Sequence, residues 1–158
     1  MKFLIKILLL LSITLSSQGL EKDIFDDKTL DEIKIQLVNK PFILTFWSKE
    51  CVYCNSNFKR ILLAKIKNQK IPKYAVCIDC LNGFDNFASS IKEHKIDSFK
   101  NYLMTSTNKE NIMFRIDSKW GGETPRTYLF DAKHSIKSFS GLISKKELKE
   151  WLENISKN

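Results

Sequence analysis

Residues 40–54 read KPFILTFWSKECVYC. FILTFW, residues 42–47, is an unbroken apolar, β-prone run. That pattern predicts a strand buried on both faces, in a sheet covered by helices. Ser48, Lys49 and Glu50 make a short polar break. After it Cys54, Phe58, Ile61 and Leu62 recur at helical spacing, which predicts a helix from near Cys51 to about Asn68. Pro72 bars any continuation. A strand–loop–helix join places Cys51 at a helix N-terminus, where unpaired N–H groups carry roughly half a positive charge. An anion is favoured there, so Cys51 is expected to be the more acidic thiol and the nucleophile. Cys54, one turn on and partly covered, is the expected resolving thiol. A static bridge is the poorer reading, because a C-x-x-C disulfide closes almost no loop and adds little stability.

Upstream, TLDE at 29–32 has the form of a capping box, followed by Leu30, Ile33, Leu37 and Val38 at helical spacing. Lys40-Pro41 is expected to end that helix. Downstream, YAVCI at 74–78 reads as a second buried strand, and 85–94 as a helix with Phe87 and Ile91 on one face. Within 97–118, Phe99, Tyr102 and Leu103 indicate a helical turn or two, and Thr105 to Asn111 is loop-like. WGGETP, 120–125, is a turn-rich approach to RTYLF, 126–130, which reads as a strand with SIKSF, 135–139, as its hairpin partner. SKKE, 144–147, is a second capping box, opening a helix that carries Leu148, Trp151, Leu152 and Ile155 on one face. A βαβ unit followed by ββα predicts an α/β protein, with a mixed central sheet between two layers of helices.

The first nineteen residues, MKFLIKILLLLSITLSSQG, have two lysines, no acid and a short apolar middle. The run is shorter than the roughly 20 apolar residues of a membrane span. It reads as a secretory signal, cut after Gly19, with an uncleaved anchor as the rival. Residues 20–158 then form a single domain, exported to a compartment such as the bacterial periplasm, where disulfides persist. The chain has a formal charge of +8 over 158 residues. Its lysines are scattered among acids and apolar residues without an arginine stripe, which marks a solvated surface and argues against nucleic acid as a partner.

Three segments together resemble the thioredoxin superfamily: KPFILTFWSKECVYC as its strand, loop and CxxC helix; GGETPRTYLFD as its cis-proline segment; and FSGLISKKELKEWL as its closing strand and helix. Order and spacing agree over about residues 27–156. With an export signal, the chain looks most like the exported TlpA-like thioredoxins. The resemblance implies a thiol–disulfide oxidoreductase with Cys51 as nucleophile and Cys54 as resolving cysteine. It implies a cis bond before Pro125, and a Thr124 whose backbone groups seat an extended substrate. It implies no cofactor, protein disulfides or dithiols as substrates, and a membrane-bound electron donor or acceptor. It leans to a reductase; an oxidase or isomerase of the same fold is the alternative. A module that binds metal or partners through both CxxC pairs, without turnover, is the alternative from another class.

This sequence departs from the family's pattern in places. Thr45 stands six residues before Cys51, where thioredoxin proper has a buried acid, and Glu50 replaces the usual tryptophan. Glu50 is expected to oppose thiolate formation and Lys49 to favour it. Glu123 is a proton-relay candidate that reads better as a surface turn residue. His94 and His134 read as surface residues, not catalytic ones.

CIDC, at 77–80, repeats the CxxC spacing. Cys77 closes the second strand, so its end falls on the same sheet edge as CVYC. Three readings stand for Cys77 and Cys80: a local disulfide or dithiol that modulates the active site, buried thiols, or a metal site, since C-x2-C-x22-C-x2-C is near a zinc spacing. Zinc knuckles take their cysteines from turns, and an oxidising compartment works against four thiolates, so the site residues are assigned no metal.

Overall fold

A computed structural model describes residues 24–66, 69–80, 84–104 and 107–157. The expected signal at 1–19 lies outside the described residues. In chain order the elements are β1 (Ile24–Phe25), α1 (Thr29–Gln36), β2 (Phe42–Trp47), α2 (Cys54–Leu62), β3 (Lys65–Ile66), β4 (Gln69–Lys70), β5 (Lys73–Cys77), α3 (Phe84–His94), β6 (Lys100–Met104), α4 (Lys109–Ile116), β7 (Arg126–Phe130), β8 (Ile136–Ser140) and α5 (Lys145–Ser156).

β2 is an inner strand of a mixed sheet ordered β1-β6-β5-β2-β7-β8. It runs parallel to β5, with Trp47 opposite Cys77, and antiparallel to β7, with Thr45 opposite Thr127. All six β2 residues are buried. Alternate side chains feed two separate cores, as the period of a strand requires. Ile43 and Trp47 join Phe58, Ile61, Phe87 and Trp151 from α2, α3 and α5. Phe42, Leu44 and Phe46 join Ile33, Met113 and Tyr128 on the other face, under α1 and α4. At about 1.5–3 kcal/mol for each large apolar side chain taken from water, this strand is the main apolar link between the layers. The architecture is the mixed α/β sandwich expected from sequence, with the CVYC motif following its inner strand.

Four local expectations are corrected. The segment 97–118 holds the strand β6, parallel to β5 with Leu103 opposite Cys77, and the helix α4. β6 has the burial of a strand covered along only part of its length, so neither strict alternation nor a continuous apolar run marks it. Helix α4 buries only Ile112 and Met113, too narrow a stripe to read as a period. Helix α2 ends at Leu62; Leu63 is 78% exposed, and after it β3 pairs antiparallel with β4, with Lys65 opposite Lys70. Helix α1 stops at Gln36, short of Lys40-Pro41, and Asn39 takes a left-handed φ of 60°. Its N-cap is Lys28, and ahead of it the Asp26 carboxylate accepts from the N–H groups of Lys28 and Thr29; the TLDE box does not form. The SKKE box does: Glu147 N–H donates to Ser144 Oγ and Ser144 N–H to the Glu147 carboxylate.

Candidate active site

β2 and β5 run side by side in one direction, so the two cysteine pairs that follow them share one edge of the sheet. Cys51 and Cys54 are joined as a disulfide with Cα atoms 5.4 Å apart. Cys51 N–H donates to Ser48 C=O, and Cys54 N–H to Cys51 C=O, which folds the loop back beneath the bridge. Tyr53 is the N-cap of α2, so Cys54 is the first helical residue and Cys51 lies one turn ahead of it, not within it. No side chain caps this end and no acid occupies its first turn. The helix's first N–H groups therefore keep their positive field beside the bridge. Cys54 is fully buried and Cys51 only partly, while Val52 and Tyr53 are exposed. Cys51 is thus the more accessible sulfur of the pair.

The peptide bond between Thr124 and Pro125 is cis. Pro125 is buried, and its C=O accepts from Gly141 N–H. Thr124 Oγ1 lies 2.7 Å from Ser48 Oγ, which ties the cis-proline turn to the loop that leads into CVYC. Among the described residues, none hydrogen-bonds the backbone N–H or C=O of Thr124.

Beneath the bridge, buried polar groups satisfy one another. Asn57, on α2, donates from Nδ2 to Thr127 Oγ1 at 2.9 Å and accepts from Ile143 N–H at 3.1 Å. Thr45 Oγ1 lies 3.2 Å from Thr127 Oγ1. Thr45, at the family's acid position, thus sits in a neutral, bonded cluster. Sequence reading passed over Asn57 and Thr127. The available signal was a polar residue at 57, beside Cys54, Phe58 and Ile61 on the helix's inward face.

Cys77 and Cys80 also form a disulfide, with Cα atoms 5.7 Å apart. Both are buried, and in the bridged state neither sulfur is a free thiol. Asp79 between them is exposed. Its carboxylate oxygens accept from Lys49 N–H at 3.0 and 3.2 Å. Oδ1 also lies 3.3 Å from Cys77 Sγ and 3.9 Å from Cys80 Sγ.

No protein-family model matches the chain, and no curated protein matches it. Solved structures do. A secreted disulfide oxidoreductase from Mycobacterium tuberculosis, homologous to E. coli DsbE, superposes with a TM-score of 0.57 at 17% identity, covering 76% of this chain and 85% of that one. A thiol:disulfide interchange protein of the thioredoxin family from Chlorobium tepidum gives 0.60 at 15%, covering 78% and 84%. A secreted thiol-disulfide isomerase from Corynebacterium glutamicum gives 0.62 at 13%, covering 78% and 75%. The chain has the thioredoxin fold.

Within this thioredoxin fold the remaining candidates are occupied elsewhere. The Glu123 carboxylate accepts from Gly121 N–H and Ser140 Oγ and pairs with Arg126, as a turn residue does. Both histidines are half-buried, each with its ring against the core. The ring of His94 packs 5.0 Å from Trp47 and 5.8 Å from Phe58. His134 Nε2 bonds Leu37 C=O, and its ring meets Phe42 edge-on. Among the described residues, no helix is long and apolar enough to cross a membrane.

Proposed function

We propose that this chain is an exported thiol–disulfide oxidoreductase acting on protein disulfides. In the reducing direction, the Cys51 thiolate attacks a substrate disulfide. A Cys51–substrate bond forms, the substrate's S–S bond breaks, and the leaving sulfur takes a proton. Cys54, deprotonated, then attacks Cys51. The second substrate thiol leaves, the Cys51–Cys54 bridge forms, and two electrons have passed from enzyme to substrate. The observation that carries this reading is the asymmetry of the pair: a reachable Cys51 ahead of an uncapped helix, and a buried Cys54 at its first residue. The unpaired backbone of Thr124, next to cis Pro125, supports docking of an extended substrate segment at that turn.

Fold neighbours described as a secreted disulfide oxidoreductase and a secreted thiol-disulfide isomerase support export, and the charged, apolar start of the sequence supports removal of residues 1–19 from a single mature domain. A reductase fed by a membrane-bound electron donor is the reading we adopt; oxidase and isomerase are the same chemistry run from the other redox state. The test uses mature protein with Cys51→Ser and Cys54→Ser variants, assayed for reduction of a protein disulfide and for oxidation of a reduced one. Cys51→Ser is expected to be inactive in both assays, and Cys54→Ser to accumulate the mixed disulfide. Wild-type rates in Cys51→Ser would overturn the reading. The faster direction, with a redox titration, assigns reductase or oxidase.

A further inference from the structure

The second disulfide has no place in the exchange just described, and it does little as a staple. It joins residues only three apart in sequence, so it constrains the unfolded chain little. What it does have is a carboxylate against its sulfurs, and that same carboxylate holds the active-site loop. Asp79 accepts from Lys49 N–H with both oxygens, two residues before Cys51, while Oδ1 lies 3.3 and 3.9 Å from the two bridged sulfurs. A bridged sulfur has no hydrogen to give this carboxylate. A thiol has one, and at these distances it donates.

We propose that Cys77–Cys80 is a second redox centre that tunes CVYC through Asp79. The step is reduction by a dithiol. The Cys77–Cys80 bond breaks, each sulfur gains a proton, and the dithiol's two sulfurs become a disulfide. Because Cys77 and Cys80 are buried while Asp79 is exposed, the reductant is a small dithiol that enters at Asp79. Once reduced, the thiols share the Asp79 carboxylate with Lys49 N–H. Its negative charge is then better compensated, it repels the Cys51 thiolate less, and Cys51 becomes more acidic and faster. The coupling is reciprocal, so ionising Cys51 favours the reduced second pair. Asp79 is on this account a positioning residue, not a catalytic one.

The proposal takes Cys51 as the reacting thiol and in that respect rests on the function proposed above, but its first test does not need Cys51. In a Cys51→Ser/Cys54→Ser variant, only the second pair remains. It is titrated in dithiothreitol buffers, with circular dichroism recorded at each point. Reversible reduction of a protein that stays folded is expected; reduction only on unfolding in denaturant would overturn the proposal and leave the function above untouched. In a Cys54→Ser variant, the rate of Cys51 alkylation at pH 7 is then compared with the second pair bridged and reduced. A rise of about threefold on reduction is expected. Adding Asp79→Asn, whose amide oxygen still accepts from Lys49 N–H without the charge, is expected to hold the rate at its fast value in both states. Equal rates in both states with Asp79 intact would overturn the coupling.

Discussion

The hydroxyls of Ser48 and Thr124 meet at 2.7 Å, although 76 positions separate them in the chain. This one contact joins the loop that presents Cys51 to the turn that holds cis Pro125. It ties the segment before Cys51 to the segment before Pro125. A net hydrogen bond is worth about 1 kcal/mol.

Ser48→Ala is therefore expected to lower unfolding free energy in urea by about 1 kcal/mol. If the contact positions substrate, the variant also loses about fivefold in kcat/KM on a protein disulfide, the factor that 1 kcal/mol represents. A small aromatic disulfide, which does not need the docking edge, keeps its rate. An equal loss on both substrates would mean that the contact serves stability alone.

Asn57 is the hub of the buried polar cluster, and its truncation disturbs two groups at once. Asn57→Ala strands Ile143 N–H in the interior and leaves Thr127 Oγ1 with Thr45 Oγ1 alone. The expected cost is about 3 kcal/mol, read from urea unfolding. Asn57→Asp behaves differently with pH. Burial raises the pKa of the new carboxyl above its unfolded value near 4. The variant is then most stable in acid and loses stability as pH rises through the raised value. A flat difference from wild type across pH 3–8 would contradict this.

Asp117 pairs with the guanidinium of Arg126 beside the hydroxyl of Tyr128. Burial by itself pushes the Asp117 pKa up, but Lys119 N–H and the Arg126 guanidinium outweigh it and hold it below the ordinary value near 3.8. Tyr128, pushed up to about 12 chiefly by burial, stays neutral across the range. A depressed acid contributes stability above its unfolded pKa, and that contribution is lost as pH falls through the folded value. Asp117→Asn is expected to cost about 2 kcal/mol at pH 7 and progressively less as the pH falls below 3.8. Unfolding curves of both proteins across that range check it.

The helix caps separate two sequence signals of identical form. Ser144→Ala breaks a formed capping box and is expected to destabilise by about 1 kcal/mol. At α1 the same loss is expected from Asp26→Ala, because Asp26, not the TLDE box, accepts the first N–H groups. Asp26 is held below its ordinary pKa, chiefly by the Thr29 hydroxyl, so its contribution also fades as pH falls through that depressed value. Thermal melts at pH 7 and pH 3 compare the two.

Elements with continuous or strictly periodic apolar character were legible in the sequence. FILTFW reads as a doubly buried strand because both its faces are covered, and α5 reads as a helix because its stripe is wide and its box is complete. The CVYC site was legible for the same reason: a motif right after such a strand has a defined place. The strand β6 and the helix α4 were not, since partial cover leaves a mixed pattern. Nor was the start of α2 at Cys54, because three residues of loop and one turn of helix share the same residue types.

By itself, then, the sequence determined the layer architecture, the place of CVYC after the inner strand and the proline turn at Pro125, all of which follow from local pattern and chain order. Only the tertiary structure decided what these parts touch. It closed Cys77 and Cys80 into a bridge, set Asp79 between that bridge and Lys49, joined Ser48 to Thr124, and placed Asn57 under the active site. Those contacts join residues far apart in the chain, and the directional geometry of hydrogen bonds and disulfides appears only once the strands are in register.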